Sequence, residues 1–447
     1  MKVVVIGGGA AGSSAASRAK KTMPNSEVYL LEETNIITHA PCGIPYAIGG
    51  LSPIDKLFVY SPEKFEKERG IRVLTNTKVE EIDIDKQAVT ISRNGRVDKI
   101  VFDKLIIATG AKPIKPIING VELEGVETIR HPAFTEKLRE KINRAHRIIV
   151  VGGGYIGIEI TENLLRLGKK VLVIEKLSLL MEKVLDKEIA LLLTEEVKRE
   201  GAELHLEESL VEINRKDDKL VVATDKNEYV GDMVILALGV TPNNDLAKKA
   251  GIPLGVSNAI IVNKHMETLI TNIYAAGDVA EKTNKITGEK TWVPLAPAAN
   301  KEGYVAGNNA ALGNTMVFPG IIGTSITKFN ELYIGRTGLT EKEATSKGIS
   351  VKAKLIKHHS KAHYYPGGSE VYVKLVVRNS DDVIIGAQVA GYTEAVAGYL
   401  DALSIAIDKS MSIEELFFAD LGYMPAVAPV WHPLVTAARV LLKEQRD

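Results

Sequence analysis

The chain has 447 residues, too long for one ordinary core, so two to four domains are expected. Lys+Arg and Asp+Glu balance at 56 each and aromatic residues reach only 5%, which argues against nucleic-acid and anionic-membrane partners. A single cysteine excludes an intrachain disulfide and suits a reducing, cytoplasmic setting.

The start, VVVIGGGAAG at 3–12, follows Met1-Lys2 and loosely imitates a signal peptide. The glycine spacing favours a buried strand, a tight turn and a helix over Ser13 to Lys21 instead. Gly7 permits the turn, Gly9 lets a pyrophosphate approach the backbone, and Gly12 allows close helix–strand packing. Ala10 and Ala11 complete the turn at a helix N-terminus, where free N–H groups attract phosphate. A second strand, VYLLEE at 28–33, brings Glu32 to the place where a carboxylate receives ribose hydroxyls, with Glu33 beside it.

Residues 73–97 then alternate like antiparallel strands and lead into KLIIATG, whose Thr109 and Gly110 form a small-residue turn. The design then repeats. IIVVGGGYIG at 148–157 supplies Gly152, Gly154 and Gly157, with Tyr155, Ile156 and Glu159 at the turn and helix start. VLVIE ends in Glu175, an acid that would repel a 2′-phosphate and favours NADH over NADPH; Lys169, Lys170 and Lys176 oppose that preference. A second alternating block at 202–230 precedes MVILALG, ending at Gly239. Tyr155 is equally suited to simple packing and to a ring that covers a flavin and swings aside for nicotinamide.

TNIYAAGDVA at 271–280 and a helix beginning in LAPAANKEGYVAG at 295–307 follow. The longest uncharged stretch, 303–327, is too polar to span a bilayer, which needs ~20 mostly apolar residues. From about Gly323 strand patterns precede helical patterns over 394–409 and 432–443, an α+β unit without a glycine turn. His358, His359 and His363 lie close together, but no carboxylate or cysteine completes a metal site, and strand-edge solvation is the simpler reading.

Taken together, the two glycine turns, the ATG at 108–110 and the Gly277-Asp278 strand end resemble the flavoproteins with two dinucleotide-binding domains. That resemblance implies an α/β fold with two Rossmann-like domains and a C-terminal α+β dimerisation domain. The expected division is 1–112 with 245–322 for FAD, 113–244 for NADH or NADPH, and 323–447 for dimerisation. It also implies that Asp278 holds the ribityl chain and that the helix at Ala298 faces the flavin. PCGIPYAIGG at 41–50 resembles the single-cysteine branch, coenzyme A-disulfide reductase, NADH oxidase and NADH peroxidase, and SPEKF at 61–65 resembles the coenzyme A-disulfide reductases. In that branch Cys42 is the redox-active residue. NADH peroxidases and many NADH oxidases place a histidine where this chain has Ala10 and Ala11, which lowers the peroxidase reading. AHYYPGG at 362–368 and LGYMPAVAPVWHP at 421–433 resemble segments that bring tyrosines across a dimer interface. Tyr423 is carried over, with Tyr364 or Tyr365, since the register is ambiguous.

The implied enzyme uses FAD and NADH or NADPH to reduce coenzyme A disulfide, a persulfide or a polysulfide, through a mixed disulfide on Cys42. Arg18 is a candidate partner for coenzyme A phosphates. The chain carries no second cysteine for a rhodanese-type domain. A homodimer with shared active sites is expected, and a dimer of dimers is left open. The alternatives are an NADH oxidase cycling through a cysteine sulfenic acid, a reductase of rubredoxin or ferredoxin type, and a flavin-bearing redox sensor.

Overall fold

The computed structural model describes residues 1–443 and forms two compact units: 1–116, 127–144 and 239–321 in the first, and 117–126, 145–238 and 322 onward in the second. The expected dimerisation segment therefore ends on four residues, 444–447, that lie outside the described ones.

In the first unit, parallel strands are ordered Ile273–Ala275, Lys104–Ile107, Lys2–Ile6, Glu27–Leu31, Arg72–Leu74. The central strand is a β-branched run whose Val3, Val4 and Val5 are fully buried, as a strand covered on both faces requires. Helix Ala10–Thr22 crosses from the first strand to the second and packs against helix Ala296–Leu312. Small residues set that crossing: a β-carbon on Gly303 would lie 2.1 Å from the Ala11 carbonyl oxygen, and one on Gly307 2.2 Å from that of Ala15. The block at 73–97 becomes a meander of Thr77–Asp83, Ala88–Arg93 and Arg96–Val101.

The second unit repeats the scheme with parallel strands Glu203–Leu206, Lys170–Glu175, Arg147–Val151 and Met233–Leu236. Here the structure corrects one expectation. Glu203–Leu206 is the outer parallel strand, and only Leu210–Lys216, Lys219–Thr224 and Glu228–Gly231 form the meander. An edge strand of this kind shows the same alternation as a meander strand, so pattern alone does not separate them.

The remainder of that unit is an antiparallel sheet ordered Ser325–Phe329, Leu332–Gly338, Ile384–Gly391, Glu370–Arg378, Val351–His359. Helices Ala395–Asp408 and Pro433–Lys443 pack on it. Val351–His359 alternates only as far as Leu355, where Ile356 breaks the period, and its lysines are typical of a strand protecting a sheet edge. Among the described residues no helix is long and apolar enough to cross a membrane.

Candidate functional site

Both glycine turns close in the same way. Gly7 has φ +103° and a β-carbon there would meet the Ala108 carbonyl oxygen at 2.2 Å; Gly152 has φ +111° and would meet that of Ala237 at 2.4 Å. Gly12 and Gly157 press on the preceding turn, where a β-carbon would sit 1.8 Å and 1.9 Å from the carbonyl oxygens of Gly7 and Gly152. The middle glycines differ. Gly9 and Gly154 have ordinary negative φ, −72° and −83°, so the backbone does not demand glycine there. Nothing lies within 4 Å of the β-carbon position of Gly154, and at Gly9 only the His39 ring approaches, at 3.9 Å. The protein leaves these two positions clear over helix N-termini whose first-turn N–H groups have no side-chain cap. Such clearance is the shape a dinucleotide pyrophosphate fills.

The acids repeat too. Glu32 accepts from Gly8 N at 2.8 Å and from Thr34 N and Oγ1 at 2.8 Å each. Glu175 accepts from Gly153 N at 2.6 Å and Leu177 N at 2.9 Å. Each carboxylate thus orders its own turn at the end of the second strand of its unit. Glu33 points to solvent. Thr109 Oγ1 donates to Asn243 O at 2.7 Å, and Gly110 and Gly239 both turn with positive φ, +70° and +95°.

Asp278 is held by Arg130, Nη2 to Oδ2 at 3.0 Å, and its carbonyl accepts from Trp292 Nε1 at 2.8 Å. The preceding Gly277 peptide is clamped by a fully buried ion pair. Its N–H donates to Glu302 Oε2 at 2.8 Å, its carbonyl accepts from Lys282 Nζ at 3.0 Å, and the two charges stand 3.2 Å apart. Burial pushes the Glu302 carboxyl up and the Lys282 ammonium opposes it. Ala298 is buried in the first turn of helix Ala296–Leu312. No sequence signal pointed to Arg130, Trp292, Lys282 or Glu302, because each reaches the motif through folding rather than spacing.

At the second turn, Tyr155 hydroxyl and Ser325 Oγ are 2.6 Å apart, and burial raises the phenol above its ordinary range. Ile156 is half-buried beside it. Glu159 accepts from Thr327 Oγ1 at 3.0 Å, and burial pushes its carboxyl up to about 7. A carboxyl poised there can exist as acid or base near neutrality.

Cys42 is exposed on the 3₁₀ turn Pro41–Gly43, which runs into helix Ile44–Ile48. Gly43 is packed under Leu57, whose Cδ2 would lie 2.4 Å from a β-carbon. A cavity of about 410 Å³ opens nearby, lined among others by Ile44, Pro113, Arg130, His131 and Phe134. Arg18 lies over the Tyr304 ring at 4.4 Å and donates to Asn308 Oδ1 at 2.8 and 3.1 Å.

In the second unit Tyr364 and Tyr423 hydroxyls meet at 2.8 Å, and that bond raises the Tyr364 phenol. Tyr365 does not join them; its ring lies under Lys361, 5.5 Å from the ammonium. His358 and His359 stand on the edge strand, His363 packs against Tyr364, and no metal-holding group of three is present among the described residues.

Two Rossmann-like sheets, each with a cleared glycine turn and an acid at the next strand end, define a flavoprotein that also takes a nicotinamide dinucleotide. The residues present fit FAD and NAD(P)H. The chain belongs to the pyridine nucleotide-disulphide oxidoreductase family, whose profile matches residues 1–303, with the family's dimerisation domain matching 324–434. It is an NAD(P)H-dependent flavoprotein oxidoreductase. It is 44% identical over 442 residues to a Pyrococcus horikoshii protein named NAD(P)H coenzyme A polysulfide/persulfide reductase, covering 98% of each chain. It is 37% identical to an NADH oxidase of Methanocaldococcus jannaschii, over 99% of each. Its fold is similar to that of an NAD-dependent persulfide reductase from A. fulgidus, with TM-score 0.96, 37% identity, and coverage of 100% of this chain and 84% of that one.

Proposed function

We propose that this enzyme uses NADH to reduce coenzyme A disulfide or a coenzyme A persulfide or polysulfide through Cys42. The observation that carries the reading is the placement of the chain's one cysteine: exposed, on a 3₁₀ turn that leads into a helix, in the unit that holds the first glycine turn. The names of the 44% and 37% identical sulfur reductases support it.

In this reading Gly7, Gly9, Gly12, Glu32 and Asp278 hold FAD, and Gly152, Gly154, Gly157 and Glu175 hold NADH. Residues 1–112 with 245–322, 113–244 and 323–447 serve FAD, nicotinamide and dimerisation respectively. Bound FAD supplies the two-electron relay between nicotinamide and sulfur. The Cys42 thiolate attacks one sulfur of the substrate, the S–S bond breaks, and the departing thiolate takes a proton. The mixed disulfide left on Cys42 accepts two electrons and one proton, releasing the second thiol and restoring the thiolate. Arg18, stacked on Tyr304, offers the phosphates of coenzyme A a planar donor. Tyr423, bonded to Tyr364, supplies the proton to the departing sulfur.

The tyrosines act on a partner's Cys42 in a two-fold dimer. Large apolar side chains are left exposed around them, with Val427 at 68%, Val430 at 71% and Trp431 at 48%, as on a surface that a second copy covers. Purified enzyme should sediment as a dimer, or as a dimer of dimers, and an active monomer would refute the shared site. On the same preparation, anaerobic NADH-driven thiol release should exceed aerobic oxygen uptake by at least about tenfold in kcat/KM. Dominant oxygen uptake would instead identify an oxidase that cycles Cys42 through a sulfenic acid.

Cofactor choice follows from Glu175. Its carboxylate stands where a 2′-phosphate would arrive, so NADH should be preferred over NADPH. Glu175→Ala should lower that preference about tenfold, the effect of removing ~1.4 kcal/mol of discrimination. Equal use of NADPH by the unaltered enzyme would overturn the assignment.

A further inference from the structure

The two glycine turns are not equivalent in what surrounds them. At Gly154 the cleared space is bordered by no side chain within 4 Å, whereas at Gly9 it is bordered by the His39 ring, through Cε1 and Nε2. His39 is three residues before Cys42 and is fixed by a backbone bridge to Phe58. Its Nδ1 is buried with no hydrogen-bond partner. A second imidazole, His131, meets it edge to face with ring centroids 4.3 Å apart. His131 Nδ1 accepts from Ala133 N at 3.2 Å, which leaves its proton on Nε2. The Nε2 edge of the His39 ring thus borders the space over the turn, while Nδ1, two ring positions away, is buried without a partner and leaves the imidazole with an unused site for a proton.

We propose that His39 and His131 form an imidazole pair that walls the FAD diphosphate at the first glycine turn and takes up one proton as the cofactor seats. The inference rests on the reading that this turn holds FAD. The charged groups facing the pair are Arg130, next to His131, and Glu32, at the adjoining strand end; Asp278 is already engaged by Arg130. Phe58 and Phe134, the other neighbours, carry no charge. Burial, the second imidazole and Arg130 push His39 down to about 3; burial also lowers His131, with Glu32 opposing and Arg130 adding to the effect. A diphosphate beside them supplies the opposite charge and raises both. The sign follows: a ring whose bound pKa exceeds its free pKa strengthens binding as pH falls through the bound value. The proton comes from solvent and returns to it when FAD leaves, so no other group changes charge.

The experiment measures FAD release from holoenzyme, as the rise of free-flavin fluorescence after dilution, at about pH 6 and about pH 8.5, either side of the ordinary imidazole range. ³¹P NMR of the bound diphosphate is followed over the same range. In the parent enzyme, release should be about tenfold slower at the lower pH, the size of one coupled protonation. His39→Phe keeps the ring and removes its nitrogens; it should release FAD at the fast rate at both pH values and flatten the ³¹P titration. His131→Asn keeps an acceptor for Ala133 N and should move the same way. A parent without pH dependence, or a His39→Phe variant that retains it, overturns the proposal. Glu32→Ala separates the two levels. If it speeds release while His39→Phe does not, the imidazole pair is wrong and the FAD turn stands; if neither changes release, the turn does not hold FAD.

Discussion

Cys42→Ser should abolish reduction of coenzyme A disulfide while leaving hydride transfer from NADH close to its parental rate. Serine has a similar size, and Cys42 is exposed, so the turn that carries it should keep its shape. What changes is chemistry: an alcohol is not ionised near neutral pH and is a poor nucleophile toward sulfur. Loss of a nucleophile that acts as one unit with its site costs at least about a thousandfold, or ~4 kcal/mol of transition-state stabilisation. The residues assigned to NADH lie at the second glycine turn, and none of them is altered. Stopped-flow measurement of flavin reduction, beside steady-state thiol release on the same sample, reads both halves. Slow oxygen uptake is compatible with the result, because reduced flavin reacts with oxygen directly. Undiminished thiol release would make Cys42 a bystander and would turn attention to electron-transfer or sensory roles.

The parts of this molecule that a sequence displays are those whose chemistry is local. The strand–turn–helix around Gly7 to Gly12 needs only adjacent residues, and its copy at Gly152 to Gly157 repeats the pattern and the backbone contacts of the outer glycines. Glu32 and Glu175 were legible for the same reason, since one helix and one short strand carry the chain from each turn to its acid. Cys42 stood out by being alone and by its PCGIPY setting. The groups that remained hidden act through distance in the chain. Arg130 reaches Asp278 across 148 residues, and Lys282 with Glu302 grips the Gly277 peptide from inside the core. His39 and His131 gain meaning only because folding sets two rings 4.3 Å apart, the first of them beside Gly9. The adjacent tyrosines show the same limit: nothing in AHYYPGG says which ring turns toward Tyr423, and in the fold it is Tyr364.

The second large effect should come from the middle glycines, and it should divide the two cofactors. Gly9→Ala and Gly154→Ala add a methyl group where the φ values suit any residue and no backbone atom stands within 4 Å. The empty fold should tolerate both, with melting temperatures unchanged. The methyl would instead occupy space cleared for pyrophosphate, and overfilling of that kind costs ~1–3 kcal/mol, roughly 5- to 150-fold in affinity. Gly9→Ala should emerge from purification depleted of flavin. Gly154→Ala should stay yellow, accept electrons from dithionite as the parent does, and require far more NADH for half-maximal flavin reduction. Gly12→Ala and Gly157→Ala serve as the structural contrast. Their β-carbons would lie 1.8 and 1.9 Å from backbone oxygens, so the turn itself must open and thermal stability should fall. The discriminating readout is the pairing of flavin content with melting temperature. If Gly154→Ala is the colourless variant and Gly9→Ala the one that loses NADH, the two sites are assigned in reverse. If both lose stability like their neighbours, the clearance at the middle glycines belongs to the fold and not to a ligand.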